Sequence, residues 1–388
     1  MPTDNPDLAA RFRPVFERIA DGAVDRERQR RLPHEEVGWL RAAGFGAVRV
    51  PQRLGGAGAG LDELFGLLVE LGEADSNLPQ ALRPHVLFVE EQLRQPPSDE
   101  RDEWLRLAAG GALVGNAISE RDPHEVGRLN TRLSERDGRL VLNGTKYYST
   151  GSLFADWLTV RAERAPGELV VARVPADSAG LVQRDDWDGF GQRTTASGTV
   201  EFTDVEVDPA HVVPWDRGPG LHTALAQLVL LASLVGVARA AARDATEFVQ
   251  QRRRSYSHAS APLPKDDPLV QQVVGKVHSA AFAAQATLEA AVASVQRAQQ
   301  DEGEVITAED DVSKAQVAIA DVVLRATSEL FEVGGSSLVS EARRLDRHWR
   351  NARTLTAHNP LIYKARAVGD HAINDALPVF GWTTGAPA

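Results

Sequence analysis

The sequence predicts a mainly α-helical protein with a small antiparallel β domain between two helical parts. Residues 1–110 and 218–388 carry apolar residues at helical spacing, whereas residues 111–217 form short β-rich stretches separated by turn signals. Because 388 residues exceed the usual size of one core, we expect these three segments to be separate domains that share interfaces.

The N-terminal segment has an apolar stripe at helical spacing. A helix over residues 82–93 places His85 on one face with Phe88 and Val89. A glycine-rich loop at residues 51–60 has the spacing of neither the dinucleotide fingerprint nor a phosphate-binding P-loop. We therefore predict a tight turn at this loop.

The middle segment has turn signals at residues 136–138 and 143–144, at hairpin-like intervals between the β-rich stretches. Strands do not alternate with crossover helices, and this disfavours a Rossmann fold or a barrel. No NAD(P)H-binding domain is visible in the sequence.

The C-terminal segment begins with residues 222–250, which are apolar nearly all round in their first half and predict a buried central helix. Residues 345–364 are too polar for a core helix, and we expect them to line a functional site. Asn359 and Pro360 end a helix just after His358. Four arginines recur at helical spacing and predict one cationic face: Arg344, Arg347, Arg350 and Arg353. For Arg347, we favour a salt bridge to another subunit.

Composition excludes several classes of function. The formal net charge of −11 disfavours binding to nucleic acid or to an anionic membrane. The chain has no cysteine, which excludes disulfides and thiolate catalysis, and its histidines lack the spacing of a metal site. From this spacing we expect no bound metal. The N-terminal residues lack the apolar core of a signal peptide, so we expect a cytoplasmic protein.

Three motifs, in this order, resemble the acyl-CoA dehydrogenase superfamily. Ser119 and Glu120 follow a predicted strand. Residues 143–151 (NGTKYYSTG), which we expect to form a strand bearing Tyr148, Ser149 and Thr150, resemble a segment that lies along a flavin ring. Residues 187–198 (WDGFGQRTTASG) resemble a glycine–arginine motif. The resemblance implies an acyl-CoA dehydrogenase-like fold, with an N-terminal helical domain, a central antiparallel β domain and a C-terminal four-helix bundle.

The C-terminal motif departs from that of the dehydrogenases. Their glutamate base removes an α-proton from a thioester, but alignment on the flanking helices puts His358 at its position. Together with the strings LDRHWRNARTLTAHNP and DDWDGFGQR, this resembles the flavin-dependent monooxygenase branch of the superfamily. Val89 stands where members that oxidise dibenzothiophene have a tyrosine, and this difference argues against the same substrate.

The resemblance implies a set of residues around a flavin. His358 would lie near flavin C4a and donate to or protonate a peroxide there, Thr150 would meet N5, and His85 would be a second donor; Asn116 completes the implied catalytic set. Arg253 or Arg254 would bind the flavin phosphate. Cofactor contacts are implied for Asn116, Ser119, Tyr148, Ser149, Thr150, Trp187, Arg193, Ser197, Arg253, Arg254, Gly334, Gly335, His358 and Asn359.

The branch implies a monooxygenase that takes reduced FMN or FAD from a separate NAD(P)H-flavin reductase and reacts with O2 through a C4a-(hydro)peroxyflavin. The oxygen would go to sulfur, nitrogen or an aromatic carbon of a small organic substrate, and the enzyme would be a homotetramer. Two alternatives stay open at this point. One is an acyl-CoA dehydrogenase-type oxidoreductase with a displaced base such as Glu341, and the other is a non-catalytic binding member of the fold.

Overall fold

Helices flank a central sheet in the computed structural model, which describes residues 6–121, 129–215 and 220–378. The N-terminal helices are α1 (Pro6–Asp21), α2 (Ala23–Gln29), α3 (His34–Ala42), α4 (Leu61–Ala74), α5 (Asn77–Arg94) and α6 (Asp99–Ala109). The C-terminal helices are α7 (His222–Gln251), α8 (Pro268–Gln300), α9 (Val305–Glu329), α10 (Asp346–Ala357) and α11 (Leu361–Asn374). The predicted mainly α class with a central β part is confirmed.

The sheet is mainly antiparallel, as predicted, and also contains parallel pairings. Its order is β6-β7-β3-β2-β4-β5-β8, and β1 pairs in parallel with β4. The hairpin of β2 and β3 lies between β1 and β4 in the sequence, so the chain returns to β4 in the same direction as β1. The strands are β1 (Val114–Ala117), β2 (Arg132–Arg136), β3 (Arg139–Lys146), β4 (Trp157–Ala165), β5 (Glu168–Pro175), β6 (Leu181–Gln183), β7 (Val200–Val207) and β8 (Val212–Pro214).

Helix α7 is the central helix that the sequence predicted, with apolar residues buried along most of its 30 residues. It is long and apolar enough to cross a membrane, but 94% of its most apolar window is buried inside the protein. The helix crosses α4 at Gly236, where an added Cβ would lie 2.4 Å from the backbone carbon of Gly72. The two helix backbones are therefore in direct contact.

The glycine-rich loop at residues 51–60 forms the predicted tight turn. Gly55 and Gly58 have φ angles of +93° and +68°, which residues with a Cβ rarely adopt. The Gly58 N–H donates to the carbonyl of Val50 at 2.9 Å. Because such backbone donors are used within the turn, the loop does not present them to a phosphate.

The arginines of α10 do not form one cationic face. Arg347 forms a 2.7 Å ion pair with Asp244 of α7, whereas Arg350 forms a 2.7 Å ion pair with Glu27 of α2. The prediction that Arg347 binds another subunit is therefore corrected, since its carboxylate partner lies in the same chain. The two arginines connect α10 to the bundle and to the N-terminal helices.

His348 is buried beside Arg347 and donates to the same carboxylate, with 2.8 Å between Nε2 and Oδ2 of Asp244. Desolvation, then the charge of Arg347, lowers the pKa of His348 to about 4. Desolvation alone would raise the pKa of Asp244, but the bond from His348 and the neighbouring arginines hold it below its usual range. His348 is therefore a neutral residue that holds α10 against α7.

The lowered pKa of His348 predicts a loss of stability in acid. An unfolded histidine binds a proton near pH 6.5, whereas folded His348 does so only near pH 4, so the unfolded state binds more protons in between. The free energy of unfolding should fall as pH drops through this window. His348→Gln should reduce the slope by as much as about 1.4 kcal/mol per pH unit. Denaturant titrations at pH 4.5–7 test this, and an unchanged slope would contradict it.

Candidate active site

The junction between α4 and α5 is buried and supports the residues of the site. Asp75 accepts hydrogen bonds from the backbone and side-chain nitrogens of Asn77 at 3.1 and 2.8 Å. Arg26 of α2 lies between two buried carboxylates, 3.0 Å from Asp75 and 3.0 Å from Glu36. These contacts fix the start of α5, because buried charges are tolerated only when they are paired.

The loop between β6 and β7 is held by this junction and by α10. The backbone N–H of Gln192 donates to Oδ1 of Asn351 at 2.7 Å, and the Asn351 side-chain nitrogen donates to Ser76 Oγ at 3.0 Å. A Cβ at Gly191 would lie 2.1 Å from the carbonyl oxygen of Arg350, so only glycine allows this contact with α10. The loop therefore has its position set by two helices.

The segment after β3 leaves the sheet, which corrects the expectation of a strand bearing Tyr148, Ser149 and Thr150. Strand β3 ends at Lys146, and Tyr148 has a φ of +57°, in the left-handed region. The turn brings Gly151 against α5, where an added Cβ would lie 2.1 Å from the carbonyl oxygen of Ala81. Tyr148 is left half-exposed, while Ser149 and Thr150 are buried.

A buried ion pair joins two of the sequence motifs beneath this turn. Lys146 Nζ lies 2.6 Å from Glu120 Oε1, and the same carboxylate accepts the backbone N–H groups of Asn130 and Thr131 at 2.7 and 3.0 Å. Desolvation lowers the pKa of Lys146 to about 8 in spite of its partner. The pair fixes the exit of β3 against the residues that follow β1, and Tyr147 N–H donates to Ser119 O at 2.9 Å there.

Three buried hydroxyls form a chain that begins at Thr150. Thr150 Oγ1 is 2.9 Å from Ser197 Oγ, Ser197 Oγ is 2.7 Å from Thr195 Oγ1, and Thr195 Oγ1 is 2.9 Å from the carbonyl oxygen of Gln192. A carbonyl oxygen only accepts and each hydroxyl has one proton, so all three bonds form in one direction only. Thr195 donates to Gln192, Ser197 to Thr195 and Thr150 to Ser197, whose oxygen is a nearer acceptor for Thr150 than the carbonyl oxygen of Tyr148 at 3.4 Å. The oxygen of Thr150 consequently keeps a free lone pair for an outside donor.

His358 follows α10 directly, as predicted, and Pro360 precedes α11. Its Nε2 lies 2.8 Å from a guanidinium nitrogen of Arg83, which only donates, so Nε2 is unprotonated and Nδ1 carries the proton. His358 is partly exposed, and desolvation by the neighbouring protein atoms, then the charge of Arg83, lowers the pKa of His358 to about 3. The bond requires the same neutral ring. His358 is therefore a hydrogen-bond donor through Nδ1, and not the proton-donating imidazolium that the sequence suggested.

His85 has a structural environment. Its Nε2–H donates to the carbonyl of Gly46 at 2.9 Å, and its Nδ1 accepts the backbone N–H of Val114 at 3.2 Å. The side chain is buried, and desolvation lowers the pKa of His85. Both ring nitrogens are used within the chain, and this geometry speaks against the predicted role of His85 as a second donor to a peroxide.

The other predicted residues divide between the site surface and the scaffold. The rings of Tyr148 and Trp187 meet edge to face at 6.1 Å, next to the hydroxyl chain. Asn116 is half-buried on β1 and Ser119 is exposed just beyond it. Arg193 donates to the carbonyl of Glu27 at 3.2 Å, so in this chain it holds α2.

A second group of predicted residues lies apart from the first. Arg252 donates to the carbonyl of Gly334 at 2.7 Å, next to Gly335, and leaves Arg253 and Arg254 exposed. Within the described ranges, no hydrogen bond, ion pair or ring contact joins this group to the residues around Thr150. The structure therefore brings the predicted cofactor residues together in two places.

The first group fits a flavin. The buried Ser149 hydroxyl and the buried side-chain nitrogen of Asn359 have no hydrogen-bond partner in the described chain, and Thr150 has a free acceptor. Tyr148 and Trp187 offer an aromatic surface beside these polar groups. Among the residues that the structure describes, no group of three His, Asp or Glu side chains has the arrangement of a metal site.

The fold and the matched domains define a protein of the acyl-CoA dehydrogenase type. The middle-domain model of that family matches residues 117–205, and the C-terminal-domain model matches residues 228–361. Over 405 aligned residues, the chain is 30% identical to dibenzothiophene monooxygenase from Rhodococcus erythropolis. The alignment covers 98% of this chain and 96% of the relative. It therefore belongs to the flavin-dependent monooxygenase branch of the acyl-CoA dehydrogenase superfamily.

Two further relatives support this assignment. A probable FMNH2-dependent monooxygenase, SfnC from Pseudomonas putida, is 28% identical over 93% of each chain. The crystal structure of FMN-bound TdsC from Paenibacillus sp. A11-2 superimposes with a TM-score of 0.89 at 27% identity, over 97% of this chain and 99% of that one.

Sequence reasoning missed several residues that shape the site. Arg83 lies 275 positions before His358, and no local pattern in the sequence pairs the two. Thr195 was passed over although it lies two residues before Ser197, within a matched motif. The run of hydroxyl residues at positions 194–199 was a usable signal for a polar relay.

Proposed function

We propose that this protein is the oxygenase of a two-component system, which takes reduced FMN from a separate NAD(P)H-flavin reductase and inserts one atom of O2 into a small organic substrate. Reduced flavin supplies the electrons that activate O2. Relatives described as dibenzothiophene and FMNH2-dependent monooxygenases support FMN over FAD. The first of them also supports sulfur as the oxygenated atom, over nitrogen or an aromatic carbon.

The bond between His358 and Arg83 carries this proposal. A dehydrogenase of this fold needs a base that removes an α-proton, but a histidine whose pKa is about 3 is a very weak base. Neutral His358 instead presents Nδ1–H as a fixed donor, which suits the holding of a bound oxygen species. Thr150 would accept the N5–H of reduced flavin with its free lone pair.

The alternative with a displaced base has little support. Glu341 is exposed to solvent in a turn before α10, whereas a base that removes an α-proton works in an enclosed site from which water is excluded. A non-catalytic role is harder to reconcile with buried polar atoms at Ser149 and Asn359 that have no partner in the described chain. We therefore rank both below the oxygenase.

Assembly would complete the cofactor site. We propose a homotetramer in which Arg253 or Arg254 binds the phosphate of an FMN whose ring lies at Thr150 of another subunit. The separation of the two groups of residues supports this arrangement. Large apolar side chains on α11, such as Ile362 and Ile373 at 72% and 81% exposure, suit burial between subunits.

Stopped-flow mixing of the protein and reduced FMN with oxygenated buffer tests the function. We expect a transient absorbance distinct from reduced and oxidised FMN before the oxidised spectrum appears. His358→Ala should weaken this signal and Thr150→Val should shorten its lifetime, since each variant removes one proposed hydrogen bond. Direct formation of the oxidised spectrum, or anaerobic reduction of bound FMN by an acyl-CoA, would contradict the proposal.

A further inference from the structure

Arg83 is a buried cation, 7% exposed, that forms no ion pair with a carboxylate among the residues that the structure describes. Its Nε is enclosed and lacks a hydrogen-bond partner there. Desolvation lowers the pKa of Arg83 to about 10, so the guanidinium stays charged at neutral pH.

Arg26, another buried arginine, shows what Arg83 lacks. Arg26 lies between Asp75 and Glu36, and its charge is balanced by two carboxylates at 3.0 Å. Removing a cation from water is unfavourable unless a charged or strongly polar partner replaces the water. Within the described part of the chain, Arg83 bonds to neutral His358, and that bond does not balance its charge.

The position of Arg83 directs its charge toward the site. The guanidinium reaches from α5 to the exposed ring of His358, and Ala81, two residues earlier on the same helix, contacts Gly151 beside Thr150. A guanidinium has five N–H donors, and His358 uses one of them. The remaining donors and the unbalanced charge suit an oxoanion bound beside His358.

We propose that the site takes an organic anion as substrate, with its sulfinate, sulfonate or carboxylate group bound by Arg83 beside His358. This inference rests on the proposed function and names its substrate class. Arg83 then has two roles: it binds the anionic group, and it keeps the His358 Nε2 unprotonated so that Nδ1–H faces the reacting oxygen.

Equilibrium binding to the FMN-loaded protein tests the proposal, with methanesulfinate and benzoate as anionic probes and dimethyl sulfoxide and benzamide as neutral counterparts. We expect at least one anion to bind about tenfold or more tightly than its counterpart. Arg83→Met should weaken anion binding by about 10- to 100-fold and leave binding of the neutral compounds within about threefold, as expected for a charge-assisted hydrogen bond. Arg83→Lys, which keeps the positive charge, should weaken anion binding less than Arg83→Met does.

Arg94→Met is a matched control, because Arg94 is an exposed arginine on the same helix, and it should leave all four affinities unchanged. FMN affinity without probes should be the same in wild type and Arg83→Met. If the variant lost as much affinity for FMN as for the anionic probe, Arg83 would be assigned to the cofactor and the proposal would be overturned. Equal affinity for anions and neutral compounds, or no binding of either anion, would also overturn it. These measurements need neither oxygen nor turnover, so their failure is separable from failure of the oxygenase function.

Discussion

Thr195→Val is expected to reduce the preference of the protein for reduced over oxidised FMN by about tenfold or more. In the wild type, Thr195 donates to the carbonyl of Gln192, so Thr150 would present a lone pair to a flavin bound as proposed. Reduced flavin has an N–H at N5 that this lone pair would accept, whereas N5 of oxidised flavin is itself an acceptor. Valine removes the acceptor of Ser197, whose proton is then free to turn toward Thr150, and the direction of the chain is lost.

Affinities for oxidised FMN and for anaerobically reduced FMN measure this effect, and a tenfold change in their ratio equals about 30 mV in the two-electron potential of bound flavin. Thr194→Val is the matched control, because Thr194 is an equally buried neighbour that takes no part in the chain. Equal ratios in the two variants would show that the hydroxyl chain does not set the preference.

Arg26→Met is expected to lower the free energy of unfolding by about 3–5 kcal/mol, the range for removing one member of a buried ion pair. Arg26 is 1% exposed, and its removal leaves the carboxylates of Asp75 and Glu36 buried with less compensation. Asp75 also holds Asn77 at the start of α5, so FMN affinity should fall with stability.

Guanidinium denaturation at one fixed protein concentration measures the loss of stability, because an oligomer's apparent stability depends on concentration. Arg28→Met is the control. Arg28 forms an exposed ion pair with Asp25 one turn away, a type worth about 0–1 kcal/mol. Similar losses in the two variants would show that the buried cluster is not special.

The sequence predicted the parts of the fold that depend on local patterns. The burial of α7 follows from its apolar composition, and the break after His358 follows from Asn359 and Pro360. The direction of β1 was not predictable in this way, because parallel pairing with β4 depends on the path of the chain through an intervening hairpin. Local reasoning also extended the strand to Tyr148, whose left-handed φ arises from contact between Gly151 and α5.

Site chemistry was predictable as residue types but not as hydrogen-bond states. A histidine at the position of the dehydrogenase base was visible in the sequence, and its ordinary pKa near 6.5 suggested a proton donor. Its neutral form depends on Arg83, 275 residues away. In the same way, the acceptor character of Thr150 depends on a carbonyl 42 residues later, at Gln192, reached through two other hydroxyls.

The crossing of α4 and α7 at Gly72 and Gly236 has a mechanical consequence. A methyl group at Gly236 has no room, since it would lie 2.4 Å from the backbone of α4, so it would act as a wedge that lifts this helix away from the bundle. Two residues separate the end of α4 from the start of α5. This junction binds the side chain of Asn351, which in turn accepts the backbone N–H of Gln192. Glycine at position 236 therefore lets α4 pack closely on α7, and this packing fixes the position of the α4–α5 junction that supports the hydroxyl chain.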